Sequence, residues 1–343
     1  MINQDETKTL NPPRLIGTIV AGFNTVANQL WLIILPVALD LLLWFAPKLS
    51  LKNLLMPMVI DTMNTLAKLD SADLTATLAD AEKIWSDLLS QLNVMSTLRT
   101  FPVGVPSILA RTGNLSNPIG TPLTFQIPDE TIALLAIVGL SLVGFLLGTL
   151  YFNQISRSTA PSPEHFQFKL LGRQFVDSVG MALLILIVGA FLLIPVGFLI
   201  SILSLFGSGV VEFLLLLAGF VLLWMLIPFA FSPHGIFVTQ QRVVPSMILS
   251  SRMVRFFLPG TGTFILMCAL ISEGLNLVWA VPPSNSWLAL IAILGHAFVT
   301  TGLIAATFIY YREGFAWMQH QLQTAAVSES RRPDSGGFFG RLQ

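Results

Sequence analysis

An all-α, polytopic membrane fold is what this sequence predicts, with about six transmembrane helices, both chain ends in the cytoplasm and an extracytoplasmic helical hairpin region. Three observations point there. Hydrophobic residues fill 54% of 343 positions and charged residues only 10%, against roughly a quarter charged in a soluble domain. Six apolar stretches are long enough for a hydrocarbon core about 30 Å thick, which takes roughly 20 helical residues. Lysine and arginine gather in alternate connections between those stretches, the asymmetry that sets orientation.

Taken in order, the first stretch is Gln29 to Phe45 (QLWLIILPVALDLLLWF). It is short, and span one is assigned to residues 29–46. Ahead of it Leu15, Ile16, Ile19, Val20, Phe23, Val26 and Ala27 recur at helical spacing. Residues 1–28 therefore read as a cytoplasmic arm whose helix lies on the inner membrane surface. A cleaved leader does not fit, because the apolar run lies far from the start, contains Asp40 and leads into FAPKLS.

Residues 47–130 form the one sizeable water-facing region, placed outside the cell. Leu51 to Leu69 is amphipathic, and Asp70 with Ser71 can start a second helix by accepting hydrogen bonds from free amides. In that helix Leu74, Leu78, Ala81, Trp85, Leu88, Leu92 and Met95 alternate steps of four and three, a heptad seam. A helical hairpin follows. Its seam either packs on its neighbour or the membrane face, or serves a partner or a second copy. From Phe101 to Pro128, Pro102, Pro106, Pro118, Pro122 and Pro128 alternate with Gly104, Gly113 and Gly120, which predicts an irregular extracytoplasmic loop.

Residues 131–312 carry a five-helix bundle, with spans at Thr131 to Phe152, Phe175 to Phe206, Val210 to Phe231, Thr261 to Val281 and Trp287 to Tyr311. Gly144 and Gly148 permit close helix approach and are weak support for dimerisation. Pro195 and Gly197 predict a kinked third stretch, or two half-helices. Between spans four and five, residues 245–258 (PSMILSSRMVRFFL) read as a basic amphipathic helix at the headgroup layer. Arg242, Arg252 and Arg255 would face anionic lipid, or a soluble partner. Residues 313–343 form a cytoplasmic tail, disordered at its end.

Orientation rests on Lys8 and Arg14 in the arm, Arg157, Lys169 and Arg173 in the second connection, Arg242, Arg252 and Arg255 in the fourth, and Arg312, Arg331, Arg332 and Arg341 in the tail. The connections Gly207 to Gly209 and Pro282 to Ser286 have none. Interfacial aromatics agree: Trp44, Trp279 and Trp287 fall at outer ends, and Trp31, Tyr151, Tyr310 and Tyr311 at inner ends.

Motifs for chemistry are missing from the sequence. There is no phosphate-binding glycine loop with its lysine and no zinc-binding His-Glu-x-x-His. Cys268 is the lone cysteine, and His165, His234, His296 and His320 show no ligand spacing. A zero formal charge sets up no field that attracts nucleic acid. No cofactor is expected, and no nucleophile with an adjacent base can be named. The intramembrane ionisable groups are Asp40, Glu273 and His296. Ser272, Glu273 and Asn276 make a polar stripe with Cys268, and His296, Thr300 and Thr307 make another. A Glu273 to His296 hydrogen bond is expected between adjacent antiparallel helices. Asp40 either joins them or reaches interfacial water.

The stretch IFVTQQRVVPSMILSSRMVRFF and the closing IAATFIYYREGFAW loosely resemble bacterial polytopic proteins related to the membrane domain found with some glycerophosphodiester phosphodiesterases. The resemblance covers roughly the last third of the chain. It implies a bacterial inner-membrane location and a six-helix plan; no phosphodiesterase domain is present in the sequence, so that activity is not carried over. The function expected is a non-enzymatic scaffold or subunit of a membrane assembly. The alternative is a transporter or permease using Asp40, Glu273 and His296. Expected partners are membrane lipids and a membrane or extracytoplasmic protein or a second copy.

Overall fold

A computed structural model describes residues 11–69, 75–111, 116–162, 166–203 and 208–330. Among them the fold is nearly all helical. Five helices are long and apolar enough to cross a membrane, or six if one sharply bent pair counts as a single span. The protein belongs to the multi-pass helical membrane class.

The bent pair is α1 (Leu15–Asn28) and α2 (Ile34–Phe45), joined by a short 3-10 turn at Leu30–Ile33 and bent by 92°. Here the expected roles change. One side of α1, with Ile19, Gly22 and Val26 buried, packs lengthwise on the final helix, α11 (Ala289–Ser330), while Ile16 and Val20 of the expected stripe are exposed. Thr18 donates to Glu313 at 3.3 Å, and Phe23 meets Phe298 at 5.9 Å between ring centroids, so the two helices run antiparallel. Small residues permit this. A Cβ on Gly22 would stand 2.5 Å from the Ala306 nitrogen and the Gly302 carbonyl oxygen. Helix α2, turned through a right angle, runs across the bundle rather than along it.

Beyond α2, β1 (Lys48–Ser50) pairs in parallel with β2 (Thr124–Gln126), Lys48 opposite Thr124 and Ser50 opposite Gln126. Helices α3 (Lys52–Leu69) and α4 (Thr75–Gln91) follow and pack against each other. The Asp70–Ser71 start and Leu74 lie outside the described residues, as does the side chain of Leu78.

Four long helices complete the bundle with α11: α5 (Glu130–Ser158), α6 (Phe168–Leu203), α7 (Ser208–Leu226) and, later, α10 (Leu258–Trp279). Asp129 caps α5 by accepting from the Ile132 amide at 2.9 Å. Helix α6 passes through Pro195 as one helix, which decides against two half-helices. After α7 the chain breaks at Pro228 and forms the short α8 (Ser232–Phe237). Then α9 (Val243–Phe256) occupies the place of the expected basic helix. Its Ser246, Ser250, Met253 and Val254 are buried and its Arg252 and Arg255 exposed. Ser250 donates to the Pro228 carbonyl at 2.8 Å and accepts from the Phe231 amide at 3.1 Å, satisfying backbone groups that the break releases. Helix α11 continues well past Tyr311, so residues 313–330, the start of the expected tail, are helical.

The two ends of the bundle differ chemically. At one, Trp44, Phe45 and Trp287 form an aromatic cluster, and the Trp44 indole donates to the Ser284 carbonyl at 2.8 Å. At the other, Asp177 takes Arg173 at 3.6 Å and Arg242 at 3.5 Å, and Arg312 donates to the Ser156 carbonyl at 2.8 Å. Tyr151, Tyr310 and Tyr311, expected as interfacial residues, are buried instead. Tyr151 donates to Thr301 at 2.9 Å, while Tyr310 stacks on Phe264 at 4.1 Å.

Candidate functional site

The right-angle bend after α1 leaves the tryptophan-bearing half of the bundle short of one helix. Residues 94–111, expected in the water-facing region and, from Phe101 on, as irregular loop, fill that space. A 3-10 turn at Val94–Leu98 starts level with Ala133 of α5, with which Val94 shares a small core. The chain then descends along α5. The Leu98 carbonyl lies against Gly144, and a Cβ on Gly148 would stand 2.7 Å from the Gly104 Cα. From Ala133 to Gly148 is about 22 Å of helix.

Gly144 and Gly148 thus hold a loop of their own chain, a use that does not require dimerisation. Val103, Val105, Ile108 and Leu109 enter the main core beside Val26, Leu32, Leu39 and Leu43. Non-helical backbone at this depth must find internal hydrogen-bond partners. The Thr100 hydroxyl donates to the Val103 carbonyl at 2.7 Å. Pro102 and Pro106 bring no amide hydrogen that needs an acceptor.

Asp40 holds the turn that follows. Its carboxylate is wholly buried and accepts from the Ser107 hydroxyl at 2.5 Å, the Leu109 amide at 3.1 Å and the Ile108 amide at 3.3 Å. The Ser107 hydroxyl oxygen in turn accepts from the Ala110 amide at 3.0 Å, closing the turn into the 3-10 segment Leu109–Arg111. Neither setting expected for Asp40 is the one found: its bonds go to the inserted loop, and it is shut off from water. The chain climbs back at Asn117, which donates to the Trp44 carbonyl at 3.2 Å.

The other expected residues lie on α10 and α11. Helices α10 and α11 are antiparallel, with Thr261 bonded to Tyr310 and the Trp279 ring on Gly295. That register brings Glu273 to within about one turn of the level of His296. Glu273 is exposed, Ser272 and Asn276 are half-buried, and His296 is buried. The Thr300 hydroxyl is turned back onto the His296 carbonyl at 2.6 Å. Thr307 bonds instead with His234 at 2.8 Å, in an aromatic surround of Phe231, Phe308 and Tyr311. His234 was invisible as a site residue because its partner lies 73 positions away. Among the described residues no group of three or more His, Cys, Asp or Glu could hold a metal ion.

Of the seam on α4, Trp85, Leu88 and Leu92 are exposed, together with Ile84, while Leu89 points inward. Beside α4, a cleft of about 500 Å³ opens between the β1–β2 pair, the end of α4 and the 116–124 turn. Lys48 and Lys52 line it, and Lys48 donates to the Ser90 carbonyl. Burial lowers the pKa of the Lys48 ammonium below the ordinary lysine value.

These features define a helical membrane protein with a loop re-entering its bundle and an apolar stripe on a helix outside it. In comparisons with known proteins, no family model, no curated protein and no solved structure matches the chain.

Proposed function

We propose that this chain is a multi-pass component of the bacterial plasma membrane, with its N- and C-terminal segments in the cytoplasm. It acts there without catalysis, as a scaffold or subunit that docks a partner protein on its extracytoplasmic hairpin. The exposed stripe Ile84, Trp85 and Leu88 on α4, continued by Leu92 just past its end, carries this reading. These side chains recur at helical spacing and α3 leaves them uncovered. Each Leu or Ile buried by a partner contributes about 1.5–3 kcal/mol, and tryptophan is the side chain most enriched at energetic centres of interfaces. Asp80, Glu82 and Asp87 flank the stripe, exposed, and give the polar rim that such an interface needs.

Photo-crosslinking amino acids at Trp85 and Leu88, activated in native membranes, are expected to capture a defined second protein. Replacing Ile84 and Leu92 by serine should abolish the adduct. Absence of any adduct from either position would overturn the docking reading.

The competing reading, transport through Asp40, Glu273 and His296, is favoured by the similar level of the last two residues. It is opposed by the engagement of Asp40, whose carboxylate is committed to three donors of an inserted loop. A Glu273→Gln, His296→Ala variant that folds normally yet loses proton-coupled uptake would favour transport over the scaffold.

A further inference from the structure

We infer that the cleft between the β1–β2 pair and the end of α4 is a binding site for a phosphate-bearing anion, held by Lys48 and Lys52 among hydroxyl donors. The local sequence builds it. In a strand successive side chains alternate faces, so the parallel pairing of Lys48 with Thr124 and Ser50 with Gln126 sets all four on one side, where all four line the cleft. Leu49 goes to the opposite side and packs in the small core with Val94 and Ile127. Lys52 is the first residue of α3, so its ammonium and the positive end of an 18-residue helix lie at the same wall.

The charge balance is one-sided. Two ammonium groups and several hydroxyls line the cleft, and no carboxylate does. An ammonium has three donors. Lys48 spends one on the Ser90 carbonyl, and the Lys52 side chain spends none within the described residues. Lysine with mobile hydroxyl donors suits a tetrahedral oxyanion, whereas planar carboxylates are better matched by arginine.

The cleft is also placed where such an anion occurs. Its Ser116 bonds Ser284 at 3.1 Å, and the Ser284 carbonyl holds the Trp44 indole beside Trp287. Tryptophan is enriched at the headgroup layer, and Trp287 is exposed there beside the buried Trp44. Leu123 and Phe125, next to the lining residues, are exposed apolar side chains that an acyl chain could cover. The shared chemistry is the phosphate group, whether it arrives on an anionic lipid or in free solution. The inference stands independently of the partner proposed for α4.

The test uses the full chain in two arms: inorganic phosphate titrated against detergent-solubilised protein, and phosphatidylglycerol retained from mixed nanodiscs with phosphatidylcholine, read by native mass spectrometry. Saturable binding in either arm is expected, and the arm that responds names the source. Lys52→Gln should weaken it about tenfold, and Lys48→Gln with Lys52→Gln should remove it. Lys83→Gln, at an exposed lysine of α4 that does not line the cleft, should leave it unchanged. If the double lysine variant does not fold, Lys52→Gln alone decides, since that side chain supports no bond within the described fold. Binding in neither arm, binding indifferent to Lys52→Gln, or loss in the Lys83→Gln variant would overturn the inference.

Discussion

Asp40 shows how one side chain can hold a segment that has no regular structure. Buried carboxylates are expensive unless bonded, and this one answers two backbone amides and a hydroxyl at once. Asp40→Ala would strand all three donors in the core, a loss on the order of 3 kcal/mol at one or more per unsatisfied group. Asp40→Asn, which keeps one acceptor oxygen, should lose roughly half as much. Thermal unfolding in detergent reads both, and an Asp40→Ala variant that melts with the wild type would refute the anchoring role. In the sequence Asp40 stood out as an ionisable group inside an apolar run, so its importance was legible. Its partners were not. Ser107 is 67 positions distant and sits among prolines and glycines, whose composition marks an exposed loop unless something else shows that it is buried.

At the scale of elements, the pattern of success follows the physics of each signal. Helices α5, α6, α7, α10 and α11 were legible because hydropathy reports the solvent directly. Helix α9 was legible from its two-sided periodicity. The roles of α1 and α2 were not, since a hydropathy window weighs apolar content and is blind to a bend; α2 is the more apolar arm, but α1 is the one aligned with α11. The missed cue was the spacing of small residues. Gly302 and Ala306 are four apart on α11 and receive Gly22, as Gly144 and Gly148 receive the loop. Gly22→Leu would drive a side chain into the α11 backbone. A Thr18→Cys, Glu313→Cys pair should be joined by a short bismaleimide in the parent chain and not beside Gly22→Leu; retained cross-linking would show that α1 docks by other contacts.

Across the whole molecule, helices α6 and α7 stand apart. Their most apolar windows have no residue buried inside the protein, and Phe191, Phe198, Phe213, Phe220 and Trp224 are all exposed. Water is excluded as their solvent by that surface alone. Under the proposed topology, cysteines introduced near Arg157 and Arg252 are shielded from an impermeant maleimide in intact cells, while one at Thr121 reacts. Labelling at Arg157 with protection at Thr121 would invert the map and place the α3–α4 pair inside the cell. The orientation was read from lysine and arginine alone, and the pairing of exposed Arg173 and Arg242 with the buried Asp177, with the half-buried Arg312 on Ser156, shows that some of those charges also join elements at their end of the bundle.

The pairing of α1 with α11 sets a timetable for biogenesis. Thr18 and Glu313 are separated by 295 positions, and synthesis supplies them in sequence order. The glycine-bearing face of α1 therefore emerges long before the surface that covers it, and every intervening helix must insert while that face is still bare. Closure of the bundle is a late event, completed when the two remote segments meet, and a ribosome halted before residue 289 leaves a chain whose earliest helix has nowhere to settle.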